Sequence, residues 1–199
     1  FNKMKPVLKS ITISLLMIFS TYLTKSQNPK LDSLDQLIRN EADEKLRINH
    51  MLEKADLLAI INLDSAISFN LKIIDASKQI RFGLGQEEAM LKLVHNYTYA
   101  GNSAAALKQL SGLRHYVEQT GDSGSFANYY STAGLYYGMQ SLYDSSIYFY
   151  EKAIPIYEKI GNRMRTSQSA SNIAIAYQQQ SNYSMALLYQ QKALRIQEE

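Results

Sequence analysis

The sequence has 199 residues, of which 46% are hydrophobic and 20% charged, so it is too apolar for a disordered chain. It contains no cysteine, which excludes disulfide bonds, thiol catalysis and cysteine-ligated zinc. The formal net charge of +3 comes from the N-terminal segment, because four of the 21 Lys and Arg residues precede Gln27 and none of the 18 acidic residues does. The remainder is close to neutral and lacks the positive charge typical of a nucleic-acid-binding protein.

The first predicted element is a secretory signal peptide over residues 1–26. Lys5 and Lys9 lead into an apolar stretch at 11–23, and Thr24 and Ser26 favour cleavage before Gln27. A membrane-spanning helix needs about 20 apolar residues, so this stretch is short for an anchor, although retention as an uncleaved anchor is the alternative. We therefore expect an exported protein that faces the periplasm or the extracellular space.

Residues 27–45 are predicted to hold a linker and a capping helix, with the helix at Leu31–Asn40. Residues 46–86 follow as a degenerate helical unit. The stretch that begins at Asn62 echoes the one that begins at Leu142, but Glu53 and Lys54 stand where the later units have apolar or small residues.

Three units then repeat, at 87–126, 127–166 and 167–199, with a period of about 40 residues. The positions that keep this register include Tyr97, Tyr137 and Tyr177, and the small residues Ala66, Ala106, Ser146 and Ala186. Each unit predicts two helices separated by a break. In the middle unit we expect the second helix to run from Asp144, as its N-cap, to Lys159, with Gly161 as a C-cap signal.

The small residues of the repeat predict close helix packing. Two helices that cross at about 8–10 Å leave no room for large side chains at the crossing point. The residues expected there are Gly134, Ser146, Ala174, Ala186 and Ala193. A single helical hairpin cannot bury its apolar face alone, so the units are expected to stack.

This pattern resembles the tetratricopeptide repeat, in a variant with longer helices and therefore a longer period. The matching positions in one unit are Tyr130, Ala133, Gly134, Tyr137, Ser146, Tyr150 and Ala153. The resemblance implies an all-α fold, a right-handed superhelical solenoid of antiparallel helix pairs, with a protein or peptide partner in its concave groove. Together with the signal peptide, the repeats also look similar to the extracytoplasmic sensor regions of Bacteroidetes-type histidine kinases and regulators.

In this family the first helix of each unit lines the groove. By resemblance, the groove residues are Glu88, Leu91, His95, Tyr99, Asn128, Ser131, Leu135, Met139, Gln168, Ser171, Ile175 and Gln179. This set is poor in Lys and Arg, unlike the set with which chaperone-tail-binding members hold a C-terminal carboxylate. A neutral, amide-rich groove suits a peptide backbone or an amphipathic helix better than an anion.

Catalytic and metal-binding patterns are weak in this sequence. His50, His95 and His115 are isolated, so a surface or packing role is favoured over a metal ligand. The glycine-rich stretches at 83–85 and 121–124 fall between predicted helices and follow no strand, which argues against phosphate loops and against a protease serine. We therefore expect no enzyme activity, cofactor or metal in these residues.

Two interpretations of function remain. The first is a non-catalytic, exported scaffold that binds proteins or peptides. The second is the sensory region of a membrane-bound histidine kinase or transcriptional regulator, whose transmembrane and output domains would follow residue 199. The last helix, from about Ser184, carries Leu187, Leu188, Leu194 and Ile196. Some of these are expected to pack on Ile173 and Tyr177, and the rest to form an exposed apolar patch because the array is not capped there. Self-association through this end is a further expectation.

Overall fold

The computed structural model describes residues 28–198, and these form nine α-helices with no strand among them. The helices are α1 (Pro29–Asn40), α2 (Glu44–Ile61), α3 (Leu63–Gln79), α4 (Gly83–Tyr99), α5 (Ser103–Thr120), α6 (Ser123–Met139), α7 (Tyr143–Lys159), α8 (Arg163–Gln179) and α9 (Tyr183–Glu198). The predicted signal peptide, residues 1–26, lies outside the described residues. The predicted all-helical solenoid is confirmed, and a helix, α1, lies where the capping helix was predicted.

Successive helices form four hairpins: α2 with α3, α4 with α5, α6 with α7, and α8 with α9. Connections of one to three residues force neighbouring helices to run antiparallel. The first helices of consecutive hairpins also contact one another, α2 with α4, α4 with α6 and α6 with α8. They therefore form an inner layer, while the second helices form the outer one.

The repeat boundaries differ from the predicted ones. The first helices of the last three hairpins begin at Gly83, Ser123 and Arg163, so the boundaries predicted at 87, 127 and 167 fall about one helical turn inside them. The residues at 46–86 that look degenerate in sequence form a complete hairpin from Glu44 to Gln79.

The array also repeats at half of the predicted period. From α3 onward, the first residues of successive helices are separated by a constant number of residues. From α3 to α9 the helices start at Leu63, Gly83, Ser103, Ser123, Tyr143, Arg163 and Tyr183. The residues with positive φ follow the same spacing, at Arg81, Gly101, Gly121, Ser141, Gly161 and Ser181. Each lies in the left-handed conformation after the end of one helix, and the N-cap position of the next helix follows directly. Two of these half-periods make one hairpin.

Asn or Asp caps most of these helices one position after the left-handed residue. Asn102, Asp122 and Asn162 accept hydrogen bonds from backbone N–H groups three residues on, at 3.1, 2.8 and 3.1 Å. Asp144 was predicted as the N-cap of α7, and this prediction is wrong. The regular spacing of the helix starts places the N-cap at Leu142, whose side chain makes no capping hydrogen bond. Asp144 lies in the first turn and accepts a hydrogen bond from Gln180 Nε2 at 2.6 Å.

Small residues lie buried in the last two hairpins, at positions where close packing was expected. Gly134, Ser146, Ala174 and Ala193 are buried, and Ser146 Oγ donates a hydrogen bond of 2.8 Å to the Gly134 carbonyl. Ala186 is only partly buried. Its helix, α9, packs against α8 alone among the described residues, so one side of α9 meets solvent.

Candidate functional site

A polar cavity of about 450 Å³ opens on the inner layer of the solenoid. Its walls come from α2, the start of α3, α4, α6 and the first turn of α8. Exposed apolar side chains, Ile60 and Tyr99, lie at the wall, and both are more than half exposed. The polar and charged lining residues are Asp56, Glu88, Lys92, His95, Asn96, Asn128, Ser131, Thr132 and Arg165.

The charges in the polar cavity are distributed unevenly. Lys92 pairs with Asp56 across the α2–α4 contact, and with Glu88 at 3.2 Å on its own helix. Arg165, on the α8 side, forms no ion pair with any carboxylate of the described residues. The α2–α4 side therefore carries a net negative charge and the α8 side an uncompensated positive one.

His95 lies between these charges and is held neutral. Burial, together with the positive charges of Arg165 and Lys92, lowers the pKa of the His95 imidazole to about 4. Its Nε2 is 3.3 Å from the Thr132 hydroxyl, the contact that α6 offers it. At neutral pH the ring can therefore donate one hydrogen bond and accept another.

A network of buried hydrogen bonds lies next to the polar cavity and includes two of its lining residues, Asn128 and Ser131. Glu87, only 7% exposed, accepts hydrogen bonds from the Ser125 hydroxyl and from Asn128 Nδ2, the latter at 3.0 Å. Asn128 Oδ1 in turn accepts from the Tyr157 hydroxyl at 2.9 Å, and that hydroxyl lies 3.0 Å from Ser131 Oγ. Both ends of the Asn128 amide are therefore engaged in hydrogen bonds that orient it within the fold.

Asn96 has the opposite character. It lines the polar cavity and is 4% exposed, yet its Nδ2 has no hydrogen-bond partner among the described residues. A buried donor left unpaired costs about 1–3 kcal/mol. The third amide of this layer, Asn172, donates to the Tyr150 hydroxyl at 3.0 Å. Among these three amides, Asn96 is therefore the one with a buried donor that lacks a partner among the described residues.

An apolar cavity of about 410 Å³ lies further along α6, between this helix, the first half of α7 and α8. Its lining includes Leu135, Met139 and Ile175, and the last two are more than half exposed. Gly134 and Gly138 belong to the same wall, and the side chains of Tyr150 and Ser146 pack closely against them. The polar and apolar cavities share α6 and follow one another along it.

The structure divides the predicted groove residues between the two cavities. Glu88, Leu91, His95, Tyr99, Asn128 and Ser131 line the polar cavity. Leu135, Met139, Ile175 and Gln179 line the apolar cavity. Gln168 and Ser171 line neither one, although both lie on the same helix, α8. The two cavities together are called the groove below.

Sequence reasoning missed four of the most informative lining residues: Asp56, Lys92, Asn96 and Arg165. The groove is therefore not as poor in basic side chains as the sequence suggested. Lys92 was detectable, since it follows Glu88 by four positions and shares its helix face. Arg165 lies before the predicted unit boundary at 167, and this shift of about one turn removed it from consideration.

Two further findings concern the part of the chain from 28 to 198. Within it, no group of three acidic or histidine side chains is arranged to hold a metal ion. None of its helices combines the length and the apolar character needed to cross a lipid bilayer.

Comparisons with known proteins agree with this architecture. Residues 125–199 match the family described as tetratricopeptide repeat. A Rap protein complexed with competence and sporulation factor superposes with a TM-score of 0.74 at 13% identity, over 83% of this chain and 48% of that one. Comparison with curated protein sequences gives no significant match.

Two other solved structures share the fold. One is a STAND signal-transduction ATPase with a tetratricopeptide repeat sensor from Pyrococcus horikoshii, with a TM-score of 0.64 and 20% identity over 83% of this chain and 26% of that one. The other is a putative kinesin light chain with nearly identical TPR-like repeats from Podosopora anserina, with a TM-score of 0.56 and 16% identity over 84% and 85%. The chain spans about half the length of the Rap protein and about a quarter of the ATPase. At these identities the likeness shows the fold alone, a TPR-like solenoid.

Proposed function

We propose that this protein binds extended peptides or peptide segments of a partner protein in the groove. The observation that carries the proposal is the pair of cavities that follow one another along α6, one polar and one apolar, on the inner layer of a TPR-like solenoid. Exposed apolar side chains at Tyr99, Met139 and Ile175 offer contact area that no described residue covers. The Rap protein of similar fold, complexed with competence and sporulation factor, supports the same kind of use.

Peptide selection tests this proposal. Twelve-residue peptides are selected from a random display library against the purified chain, and the selected peptides are synthesised for calorimetry. We expect micromolar binding that Tyr99→Ser and Ile175→Ser weaken about tenfold or more, since both remove apolar contact area. Leu107→Ser is the matched control, because Leu107 is about equally exposed but lies on the outer helix α5. Equal losses for all three variants would contradict a site in the groove.

We propose that the protein is exported from the cytoplasm. It rests on the basic start, short apolar stretch and small residues of the segment 1–26. N-terminal sequencing of the protein recovered from outside the cytoplasm should begin near Gln27. A recovered chain that still contains residues 11–23 would show that the segment is retained.

A sensory role is the second candidate. It is favoured by the STAND ATPase of similar fold, in which the tetratricopeptide repeat region is the sensor. The groove would then receive a signalling peptide or protein for a histidine kinase or regulator. Sequencing the gene beyond the codon for residue 199 decides it: an apolar run of about 20 residues followed by an output domain is expected.

Self-association through α9 is proposed as well. Leu187 and Leu194 are 60% and 52% exposed, whereas their counterparts one repeat earlier, Ile147 and Ile154, are buried against the following helix. Analytical ultracentrifugation should show dimers or larger species that the double variant Leu187→Glu, Leu194→Glu dissociates. A wild-type chain that stays monomeric at high concentration would remove this proposal.

A further inference from the structure

A row of aromatic side chains on the α6–α7 hairpin lies outside the groove and has no part in the proposed function. The aromatic row consists of Phe126, Tyr130, Tyr137, Tyr148 and Phe149, none of which lines either cavity. We propose that it binds a second kind of ligand: a proline-rich segment of a partner protein, in the polyproline II conformation, with an acidic residue beside the prolines. Neither the family match nor the solved structures assign such a site to this chain.

Four rings of the aromatic row follow one another at short distances. The ring centroids of Phe126 and Tyr130 are 6.3 Å apart, and those of Tyr130 and Phe149 are also 6.3 Å apart. Tyr137 stacks on Phe149, with centroids 5.2 Å apart and an angle of 2° between the ring planes. Tyr148 lies beside Phe149, at a centroid distance of 5.2 Å. The rings therefore form one continuous surface.

The aromatic row faces the space between two outer helices. Within residues 28–198, α5 and α7 do not contact each other. One side of the row packs on the core cluster to which Leu110, Leu113 and Val117 of α5 belong. The other side is accessible, because Tyr148 is 54% exposed and the rest of the row is partly exposed. A ligand can therefore reach the rings while the hairpin stays folded.

The preceding repeat shows that the hairpin fold does not require these rings. The positions of Phe126 and Phe149 are held there by Gln86 and Gln109, which are also partly exposed. The helices that carry the two glutamines start at the equivalent points of the array. The aromatic row is therefore an addition to the repeat, and exposed aromatic patches of this kind mark interaction sites.

The hydroxyl groups of the aromatic row add hydrogen-bond donors. Within the described residues, the tyrosine hydroxyls that form hydrogen bonds belong to Tyr116, Tyr136, Tyr150, Tyr157 and Tyr189. Those of Tyr130, Tyr137 and Tyr148 are not among them, and they are also absent from the buried polar atoms that lack a partner. These three hydroxyls are therefore accessible, and each can donate a hydrogen bond to a ligand.

A polyproline II segment matches both properties of the aromatic row. Its carbonyl groups have no internal hydrogen bonds and can accept them from the phenol hydroxyls, while its pyrrolidine rings pack on the aromatic faces. It rises about 3.1 Å per residue, so about six residues cover the three steps between the four rings. Because this conformation is already populated in the free segment, little conformational entropy is lost on binding.

The charge beside the aromatic row is complementary to an acidic residue in the ligand. Lys152 Nζ lies over the Tyr148 ring, 5.4 Å from its centroid, and has no carboxylate partner among the described residues. Arg114, on the neighbouring outer helix α5, is compensated by Glu118 at 2.8 Å. Glu151 is directed to the opposite side of α7, where it accepts a hydrogen bond from α9. The positive charge of Lys152 therefore favours a carboxylate next to the prolines.

Capped, fluorescein-labelled peptides test the proposal directly. The first peptide has a Glu followed by three Pro-Pro-Leu triplets, the second has Ala in place of every Pro, and the third has Gln in place of the Glu. Affinity for the purified chain is measured by fluorescence anisotropy. We expect the proline peptide to bind about tenfold more tightly than the alanine peptide, because the alanine peptide is not held in the polyproline II conformation. The Gln peptide should bind about two- to fivefold more weakly than the Glu peptide, as for an exposed ion pair.

Variants of the aromatic row locate the site. Phe126→Gln and Phe149→Gln introduce the residue that the preceding repeat has at each position, so the hairpin should still fold, which circular dichroism checks. Each should weaken the proline peptide about tenfold. Tyr137→Phe keeps the stacked ring and removes a hydroxyl, so it should weaken binding less. Lys152→Gln should abolish the difference between the Glu and Gln peptides, whereas Lys159→Gln, an exposed lysine at the end of the same helix, is the matched control and should preserve it.

The groove variant Ile175→Ser separates this site from the groove. It should leave the affinity for the proline peptide unchanged, since Ile175 lines the apolar cavity. If Ile175→Ser weakens the proline peptide and Phe149→Gln does not, the peptide binds in the groove and the proposed site is wrong. Absence of binding, or equal affinities for the proline and alanine peptides, also overturns the proposal. Ultracentrifugation gives a further check: if Phe149→Gln dissociates a wild-type dimer, the aromatic row contacts a second copy and the proposal is wrong.

Discussion

Gly134 and the ring of Tyr150 are in direct contact. A Cβ placed on Gly134 would lie 2.8 Å from two ring carbons of Tyr150, closer than real Cβ contacts allow. Tyr150 cannot move away easily, because it is 3% exposed and its hydroxyl accepts a hydrogen bond from Asn172. The hairpin of α6 and α7 thus depends on the absence of a side chain at position 134.

We therefore expect Gly134→Ala to destabilise the protein by about 1–3 kcal/mol through overpacking. Gly112→Ala is the matched control, since Gly112 lies inside α5 and nothing stands within 4 Å of an added Cβ. Here alanine should stabilise the helix by about 0.5–1 kcal/mol. Urea unfolding of both variants measures this difference, and a Gly134→Ala midpoint equal to or above that of the wild type would refute the close contact.

The left-handed turn residues predict a second pair of opposite effects. Ser181 has a φ of 60°, and Gly161, at the equivalent position one helix earlier, has a φ of 72°. The left-handed conformation costs a residue with a Cβ about 1–2 kcal/mol. Glycine avoids this cost, but it also increases the conformational entropy of the unfolded chain, which offsets part of the gain. Ser181→Gly should therefore raise the unfolding free energy by about 0.5–1 kcal/mol, and Gly161→Ala should lower it by a similar amount. Thermal unfolding monitored by circular dichroism checks both, and equal signs would show that the turns are not left-handed.

Substitutions at Asn70 and Ser77, both on α3, are expected to increase the stability of the protein. Both side chains are fully buried, and Asn70 Oδ1 and Ser77 Oγ have no hydrogen-bond partner among the described residues. One repeat later the position of Asn70 is occupied by Leu110, which packs in the core. Asn70→Leu and Ser77→Ala should each stabilise the protein by about 1 kcal/mol, because they remove a buried polar atom that lacks a partner. Chemical denaturation of the two single variants is the test, and destabilisation by both would mean that these atoms are paired in solution.

His95 predicts a loss of stability in mild acid. Its pKa is about 4 in the folded protein, lowered by burial and by Arg165 and Lys92, against an ordinary value of 6.5 in the unfolded chain. The unfolded chain therefore takes up a proton first as the pH falls. The stability that depends on neutral His95 is fully present above pH 6.5 and is lost as the pH falls towards 4, by up to about 3 kcal/mol.

The matched variants His95→Gln and His115→Gln isolate this contribution. His115 is exposed on the outer helix α5, and its replacement by Gln is the matched control. His95→Gln should flatten the curve of unfolding free energy between pH 6.5 and 4, while other groups that titrate there contribute equally to all three proteins. Identical slopes for wild type and His95→Gln would show that His95 is accessible to protons in the folded state.

The solenoid could be predicted from the sequence because stacked hairpins of the same kind place the same residue types at a fixed spacing along the chain. The spacing of Tyr97, Tyr137 and Tyr177 fixes which helix face is buried, and the small residue at Ser146 reveals a close crossing. Both follow from residues near one another along the chain or one repeat apart.

The groove was harder to predict, since it depends on how far side chains reach between helices. Asp56 comes from the hairpin that looked degenerate, and its role depends on an ion pair with Lys92 on the next inner helix. The lack of a partner for Asn96 is a property of its surroundings in three dimensions, and no residue pattern announces it. The predicted N-cap at Asp144 was wrong for a simpler reason: a good capping residue stood two positions after the site that the register uses.

The even spacing of turns and caps sets which changes of length this chain can tolerate during evolution. Gain or loss of one whole hairpin between two equivalent turns, such as Gly121 and Gly161, would exchange one groove segment for another and thereby alter ligand length. Insertion of a single helix with its connecting residues would preserve the spacing of the helix starts. In the rest of the array, however, inner helices would become outer helices. Recombination between repeats is thus expected to produce relatives that differ in groove length by whole hairpins, each able to read a longer or shorter segment of peptide.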